Sequence, residues 1–509
     1  MFKLVGGKVQ RKLTYLLVVG LIAGLMVGGS ALADTPDAIE QLPGTGWWTG
    51  VQLQNVGTGT ATVNIESYST GTSDPAIVKS DTIAQNAAKT LLPNDLTLPA
   101  GFQGSAVVSS DQPLNAIVNI TNREAAGYGT PGGMAAAQYQ GVNSPATELR
   151  FPLVKRNRFG KTTTFYIQNA GSQAATAEAV FVITAGDGVT PGTPQTFNFT
   201  TPTIQPGRMV ILTPAAAGVP NNALGSLTVT SAQPLAGVVS EHGSENPALE
   251  LQSTRGFTPA DYDTKAYAPI IKNVSFGRFT GLQVQNVTGN PININVTYQG
   301  VARSCVGQSF TNSATNVASG ASATFVHRPG APGNTMPLDC VASATVEATG
   351  NIVAIVNEAF DSDFLAGGGN GGRNESTVYS AFAAKSATNN LNAPLYKENA
   401  FNKGTGLQVQ NVGNAAAQIT ATFVGSAGTF TTLPQTVQPG GSYNFIALAQ
   451  KPEVFSGTPI PSNISGSAGN FAVSVSSNQP IVAIANESTF PFVGSPLQQD
   501  KNNYEAFNR

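Results

Sequence analysis

The chain has 509 residues, 41% apolar and only 11% charged, with 26 Lys+Arg against 28 Asp+Glu. That length outgrows a single hydrophobic core and calls for several domains. A near-neutral balance with no basic cluster argues against a nucleic-acid partner, and 55 glycines among abundant Ala, Val, Thr, Asn and Ser point to short strands joined by small-residue turns.

The first element is a leader. Lys3, Lys8, Arg11 and Lys12 form a basic start, an apolar stretch follows over about 16–27, and Ala31-Leu32-Ala33 supplies a small-x-small cleavage pattern. The expectation is a signal peptide over 1–33, cut before Asp34. An uncleaved anchor is the rival, but the apolar part is short for a span of about 20 residues and is diluted by glycine. Cleavage turns 26 Lys+Arg into 22 against 28 Asp+Glu, a balance of −6. No cysteine follows the apolar stretch to take a lipid, and 504–509 carries no apolar tail, so no membrane span is expected in the mature chain.

After the leader one short strand recurs four times: TGVQLQNVG from Thr49, TTFYIQNAG from Thr163, TGLQVQNVTG from Thr280 and TGLQVQNVG from Thr405. Its asparagines Asn55, Asn169, Asn286 and Asn411 are 114, 117 and 125 residues apart, the length of a β-sandwich and not of a solenoid coil. The chain is therefore read as four tandem units, 34–142, 143–262, 263–384 and 385–509.

Unit 1 opens atypically. Where later units have a Pro-x-x-Lys lead-in it offers Ala38-Ile39-Glu40-Gln41, so its first strand is altered or absent; an end repeat with one solvated side fits this, and so does an edge that receives a strand from a neighbouring molecule. Trp47 and Trp48, the only tryptophans, follow. An exposed pair can stack on sugar rings, whereas the bland reading packs one in the core and lays the other over its open end.

In each repeat strand Val and Leu alternate with Gln, so one face is expected in a core and the glutamine face in water. A second alternating strand follows, such as Ala61-Thr62-Val63-Asn64-Ile65, and the two read as a hairpin. A Pro-Gly turn comes next, clearest at Pro206-Gly207 and Pro439-Gly440. Two closing strands flank a turn, as in Gly104-Ser105-Ala106-Val107-Val108 before Gln112-Pro113. An aromatic-x-small element ends the unit at Tyr139, Tyr379 and Tyr504; in unit 2 Phe257 and Tyr262 are both candidates.

Units 2 to 4 add a lead-in, Pro152-Leu153-Val154-Lys155, Pro269-Ile270-Ile271-Lys272 and Pro394-Leu395-Tyr396-Lys397, read as their first strand. Each also carries an acid after its last apolar strand, Glu241, Glu358 and Glu487. An acid recurring in three units suggests architecture more than chemistry: each is expected to pair with the lead-in lysine or cap a turn, a surface pair being worth about 0 to 1 kcal/mol. Unit 3 alone holds cysteines. Cys305 and Cys340 are expected to close a local disulfide worth about 3 to 4 kcal/mol in the entropic model, two buried free thiols being the rival. His242 and His327 sit in different units without ligand spacing, so neither a metal site nor a repeated His-based triad is expected. Asp361-Ser362-Asp363 with its glycine-rich continuation reads as a flexible connection and not a calcium loop.

The stretches Gln52 to Gly57, Gln283 to Val287 and Gln408 to Gly413, each an alternating strand ending in an Asn turn before a second Val/Thr-rich strand, resemble bacterial extracellular immunoglobulin-like repeat domains, the CARDB-like surface modules. The resemblance implies a surface or secreted role in adhesion, spacing or assembly and transfers no functional residue. The reading is an all-β chain of four tandem immunoglobulin-like β-sandwiches, secreted or at the cell surface, non-enzymatic and without cofactor, arranged as a rod or string. Its expected partners are other surface proteins, itself or extracellular glycans. The rivals are a glycan-binding protein using Trp47 and Trp48, and an accessory module of a hydrolase or a carboxylate-based hydrolase.

Overall fold

The structure, a computed structural model, describes residues 14–18, 47–71, 74–85, 87–122, 136–243, 251–360, 376–489 and 502–508. It is all-β apart from short 3-10 turns. The calls on the rest of the leader, on 38–41 and on the glycine-rich 361–375 lie outside the described residues.

Strand β1 (Thr14–Val18) lies in the segment read as leader; unit 1 follows with β2 (Trp47–Asn55), β3 (Ala61–Ser69), β4 (Ile77–Ile83), β5 (Ala88–Leu91), β6 (Gly104–Ser110), β7 (Leu114–Asn122) and β8 (Ala136–Gln140). Unit 2 has β9 (Ala146–Arg156), β10 (Lys161–Asn169), β11 (Ala177–Ala185), β12 (Gln195–Thr200), β13 (Met209–Leu212), β14 (Ala223–Gly243) and β15 (Leu251–Arg255). Unit 3 has β16 (Asp263–Asn273), β17 (Arg278–Asn286), β18 (Ile292–Arg303), β19 (Ser309–Val317), β20 (Ser322–His327), β21 (Cys340–Phe360), β22 (Ser376–Ser380) and β23 (Phe382–Ala383). Unit 4 has β24 (Thr388–Lys397), β25 (Lys403–Asn411), β26 (Ala417–Gly425), β27 (Gly428–Thr431), β28 (Gln435–Val437), β29 (Ser442–Phe445), β30 (Asn470–Thr489), β31 (Asn502–Glu505) and β32 (Phe507–Asn508).

Unit 1 shows the plan as two four-stranded sheets, β1-β6-β3-β4 and β5-β2-β7-β8. In unit 2 the first half of β14 pairs with β9 and β11 and the second half with β10 and β15, so one strand serves both sheets. Units 3 and 4 repeat this with β21 and β30. The expected turn between the closing strands is therefore, in units 2 to 4, a bend inside a continuous strand at the sandwich corner, the place where strands switch sheets. Proline fits there because it sits where the ladder changes partners.

The expected hairpin of the repeat strand with its successor does not form, because β2 and β3, and their counterparts, belong to opposite sheets. The asparagine pins the arch between them. Asn169 donates through Nδ2 to Gln173 O (2.7 Å) and to Ile204 O across the sandwich (2.8 Å), and its Oδ1 accepts from Gly171 N (2.9 Å). Asn55, Asn286 and Asn411 make the same three contacts, and all four are fully buried. Each satisfies the backbone groups that a sheet-to-sheet crossing leaves unpaired.

The glutamine face is not in water either. Gln168, Gln285 and Gln410 are fully buried, and each donates to a turn carbonyl of its own unit, Gly207 O (2.7 Å), Gly320 O (3.0 Å) and Gly440 O (3.1 Å). The same carbonyls accept from a serine of the preceding unit: Ser105 Oγ to Gly207 O (2.7 Å), Ser226 Oγ to Gly320 O (2.6 Å) and Ser343 Oγ to Gly440 O (2.5 Å). Alternation reports that two faces differ in polarity; it does not say what covers the polar one. Here a neighbouring unit covers it.

These interfaces close on themselves, which corrects the expectation of a rod. Val238 packs into the core of unit 1, Ile355 against Leu153 and Phe257 of unit 2, Ile484 into the core of unit 3, and Ile117 of unit 1 into the core of unit 4. The four positions are equivalent, each three residues past the partner of the pinning asparagine. Correspondingly β8, β15, β22 and β31 pack in a cycle, each against the next and β31 against β8. The units form a ring with these strands at its axis.

Candidate functional site

The recurrent acids and lysines are inside the fold, not on its surface. Lys155 Nζ lies 3.0 Å from Glu241, Lys272 Nζ 3.0 Å from Glu358, and Lys397 Nζ 2.7 Å from Glu487, joining the lead-in strand to the long strand. All three glutamates are buried. Burial opposes ionisation of Glu241, but Lys155 and Lys161, with the Gln252 amide, hold its carboxyl below the usual range. A carboxylate neutralised in this way is a strut and not a free acid or base. Unit 1 lacks both halves, with Ile120 where the others carry the acid. Its lead-in position on β6 is taken by β1, from the segment read as leader.

Trp47 is 1% exposed in the unit 1 core and has no face to offer a sugar, while Trp48 is half-buried. Cys305 and Cys340 form a disulfide joining the end of β18 to the start of β21. His242 contacts Thr164, and His327 is buried against Thr280 with the ring of Tyr298 edge-on. Burial pushes the His327 imidazole down to about 4, against the Thr280 backbone hydrogen bond that favours its charge. Among the described residues no group of three or more His, Cys, Asp or Glu gathers as metal ligands.

At the ring axis residues from all four units converge. In unit 2 the aromatic-x-small element is Thr254-Arg255-Gly256, neither of the expected candidates, because Thr254 stands opposite Val239 as Tyr139 stands opposite Val118. The middle residues of the four elements, Gln140, Arg255, Ser380 and Glu505, differ in every unit. Gln140 Nε2 donates to Glu505 O (2.7 Å), Ser380 N to Glu505 Oε1 (2.6 Å), and Thr254 and Ser380 share a hydroxyl contact (3.0 Å). Arg255 forms a two-pronged pair with Asp261 (2.9 and 2.8 Å) and feels Glu505 as well. Burial opposes ionisation of Asp261, but Arg255 and the Thr258 hydrogen bonds together outweigh it and hold the carboxyl below its usual range. Beside this hub lies a cavity of about 170 Å³ lined by Asn115, Gln140, Asn143, Arg255, Asp261 and Phe507, with room for about five waters. Its cation, Arg255, is already paired with Asp261, so the cavity offers mainly polar contacts.

No family model matches the chain and no curated protein matches it. Two solved structures are similar over most of their lengths. The tetra-tandem repeat in the extending region of a large adhesion protein is 13% identical, covering 89% of this chain and 93% of that one with a TM-score of 0.10. A glycoside hydrolase family 32 protein from Bifidobacterium adolescentis is 9% identical, covering 90% and 98% with a TM-score of 0.14. At such scores neither likeness bears on fold or function.

Proposed function

We propose that this is a secreted or cell-surface structural and adhesive protein, non-enzymatic, built of four immunoglobulin-like β-sandwich units over 34–142, 143–262, 263–384 and 385–509 behind a signal peptide. The observation that carries the reading is where the repeated residues are spent. Asparagines, glutamines, lysine–glutamate pairs and serines all tie strands or neighbouring units together, which is the economy of a scaffold. What differs between units in sequence is the connection after each closing strand, 123–135, 244–250, 361–375 and 490–501. With the immunoglobulin order, A-B-E-D and C-F-G, units 2 to 4 share the pairing of second with fifth, third with sixth and sixth with seventh strands; they depart from it in pairing the first with the sixth and the fourth with the third, and in running the sixth through both sheets. The partners that suit this reading are other surface proteins, a second copy or extracellular glycans.

Retention tests it. Labelled protein is incubated with cells of its source and their extracellular matrix, and saturable binding competed by unlabelled protein is expected. Quantitative recovery in the washes, together with polysaccharide hydrolysis abolished by Glu358→Gln, would overturn it.

A further inference from the structure

Three phenylalanines stand in water at equivalent places. Phe159, Phe276 and Phe401 are 77%, 58% and 67% exposed, each at the tip of the turn joining the lead-in strand to the repeat strand. The turns are two-residue hairpin loops: Arg158 and Lys161 exchange backbone hydrogen bonds of 3.0 and 3.1 Å, Arg278 N donates to Ser275 O (3.1 Å) and Lys403 N to Ala400 O (3.0 Å). Both central residues are left-handed, with φ of 53° and 71° at Phe159-Gly160, 55° and 72° at Phe276-Gly277, and 53° and 60° at Phe401-Asn402. This is the turn that favours Asn-Gly, and a bulky side chain at its first position is strained. Three copies of phenylalanine where asparagine folds more easily, none of them buried, indicate a use outside the fold.

The ring sets their arrangement. A rotation that closes has no rise along its axis, so equivalent positions share one height. Sheet order places β8, β15, β22 and β31 at the axis with the repeat strands further out, so the three turns share one height, at the end of the ring where the repeat strands begin. Cations stand beside them. The Arg158 guanidinium lies 4.9 Å from the Phe159 ring, the Arg303 guanidinium 4.1 Å from Phe276 with Asp339 4.0 Å away, and Lys403 closes the turn two residues after Phe401. Val306 and Leu338, also exposed, flank the Phe276 end of unit 3.

We propose that this face docks on an anionic phospholipid surface, the three rings entering the acyl boundary while the neighbouring cations meet the phosphates. Coplanar apolar tips with cations beside them suit a flat, pocketless partner, since aromatic side chains settle at the headgroup level and each cation adds electrostatic attraction. A second copy presented face to face would bring the cations of both rings together. For its setting the inference rests on the surface role proposed above; vesicle binding without cell retention would sink that role and leave this inference standing.

The test is sedimentation of the full chain with vesicles of phosphatidylcholine, alone or with a third phosphatidylglycerol, at low and high salt. Salt-sensitive binding to the anionic vesicles is expected, falling about tenfold with Phe276→Asn and more than a hundredfold with Phe159→Asn, Phe276→Asn and Phe401→Asn together. Asparagine suits the turn, so the triple variant should melt no lower than the parent, which separates loss of docking from loss of fold. A parent that ignores anionic vesicles, equal binding to both lipids, or a triple variant that binds like the parent would each overturn the proposal. So would a parent dimer abolished by the triple substitution without any vesicle binding.

Discussion

Replacing Asn411 by alanine removes no apolar contact of consequence, yet it should be among the costliest changes in the chain. The side chain donates to Ala415 O and Val437 O, both at 2.8 Å, and accepts from Gly413 N at 3.0 Å, in a site closed to water. A buried group left unpaired costs about 1 to 3 kcal/mol, and some of that is recovered by local shifts, so Asn411→Ala should lose about 3 to 5 kcal/mol. Urea unfolding followed by tryptophan-independent circular dichroism reads this as a lower midpoint at unchanged slope. Asn411→Asp sharpens the test. It keeps the acceptor for Gly413 N but sets a carboxylate against two carbonyl oxygens, which raises its folded pKa above the unfolded one. Its deficit should therefore be largest at neutral pH, shrink as pH falls toward about 4, and level off below that, where both states are protonated. A loss under about 1 kcal/mol for Asn411→Ala would refute the arch-pin account.

Two further outcomes follow from the buried charges. Lys397→Met should destabilise by about 2 to 4 kcal/mol, by stranding Glu487, and Lys397→Met with Glu487→Leu should recover most of it; a double variant no better than the single would mean the pair is not a unit. His327 titrates near 6.5 when unfolded and at about 4 when folded, so the unfolded chain binds the extra proton between those values. Its contribution is complete above pH 6.5 and is lost as pH falls toward 4, up to roughly 3 kcal/mol. The pH dependence of the urea midpoint, compared with His327→Gln, checks it, and parallel curves for the two proteins would contradict it.

The β class and the repeat were legible because period-2 alternation and a recurring Asn turn are local signals. Strand partnership was not. The apolar stretches on either side of Gln233-Pro234 look the same whether they fold back or run on through a corner, and β14 runs on. The glutamines looked solvated because an amide suits water and a backbone carbonyl equally well, and only the neighbouring unit decides between them. The hub at Gln140, Arg255, Ser380 and Glu505 was invisible for the opposite reason: its members share a position and no residue type. The exposed phenylalanines did leave a trace, Phe followed by Gly or Asn and then Lys or Arg, four residues after each lead-in lysine. It falls in a turn, where alternation carries no information.

Ring closure is the central claim, and unit 4 meets unit 1 without the serine knot of the other junctions, since Ala472 stands where Ser105, Ser226 and Ser343 donate. Small-angle X-ray scattering of the full chain in dilute solution tests it most directly. A closed ring predicts a radius of gyration of about 25 Å, near the value for a compact chain of this length. Four sandwiches strung end to end, each about 35 Å long, would give roughly 40 Å or more and contradict the account.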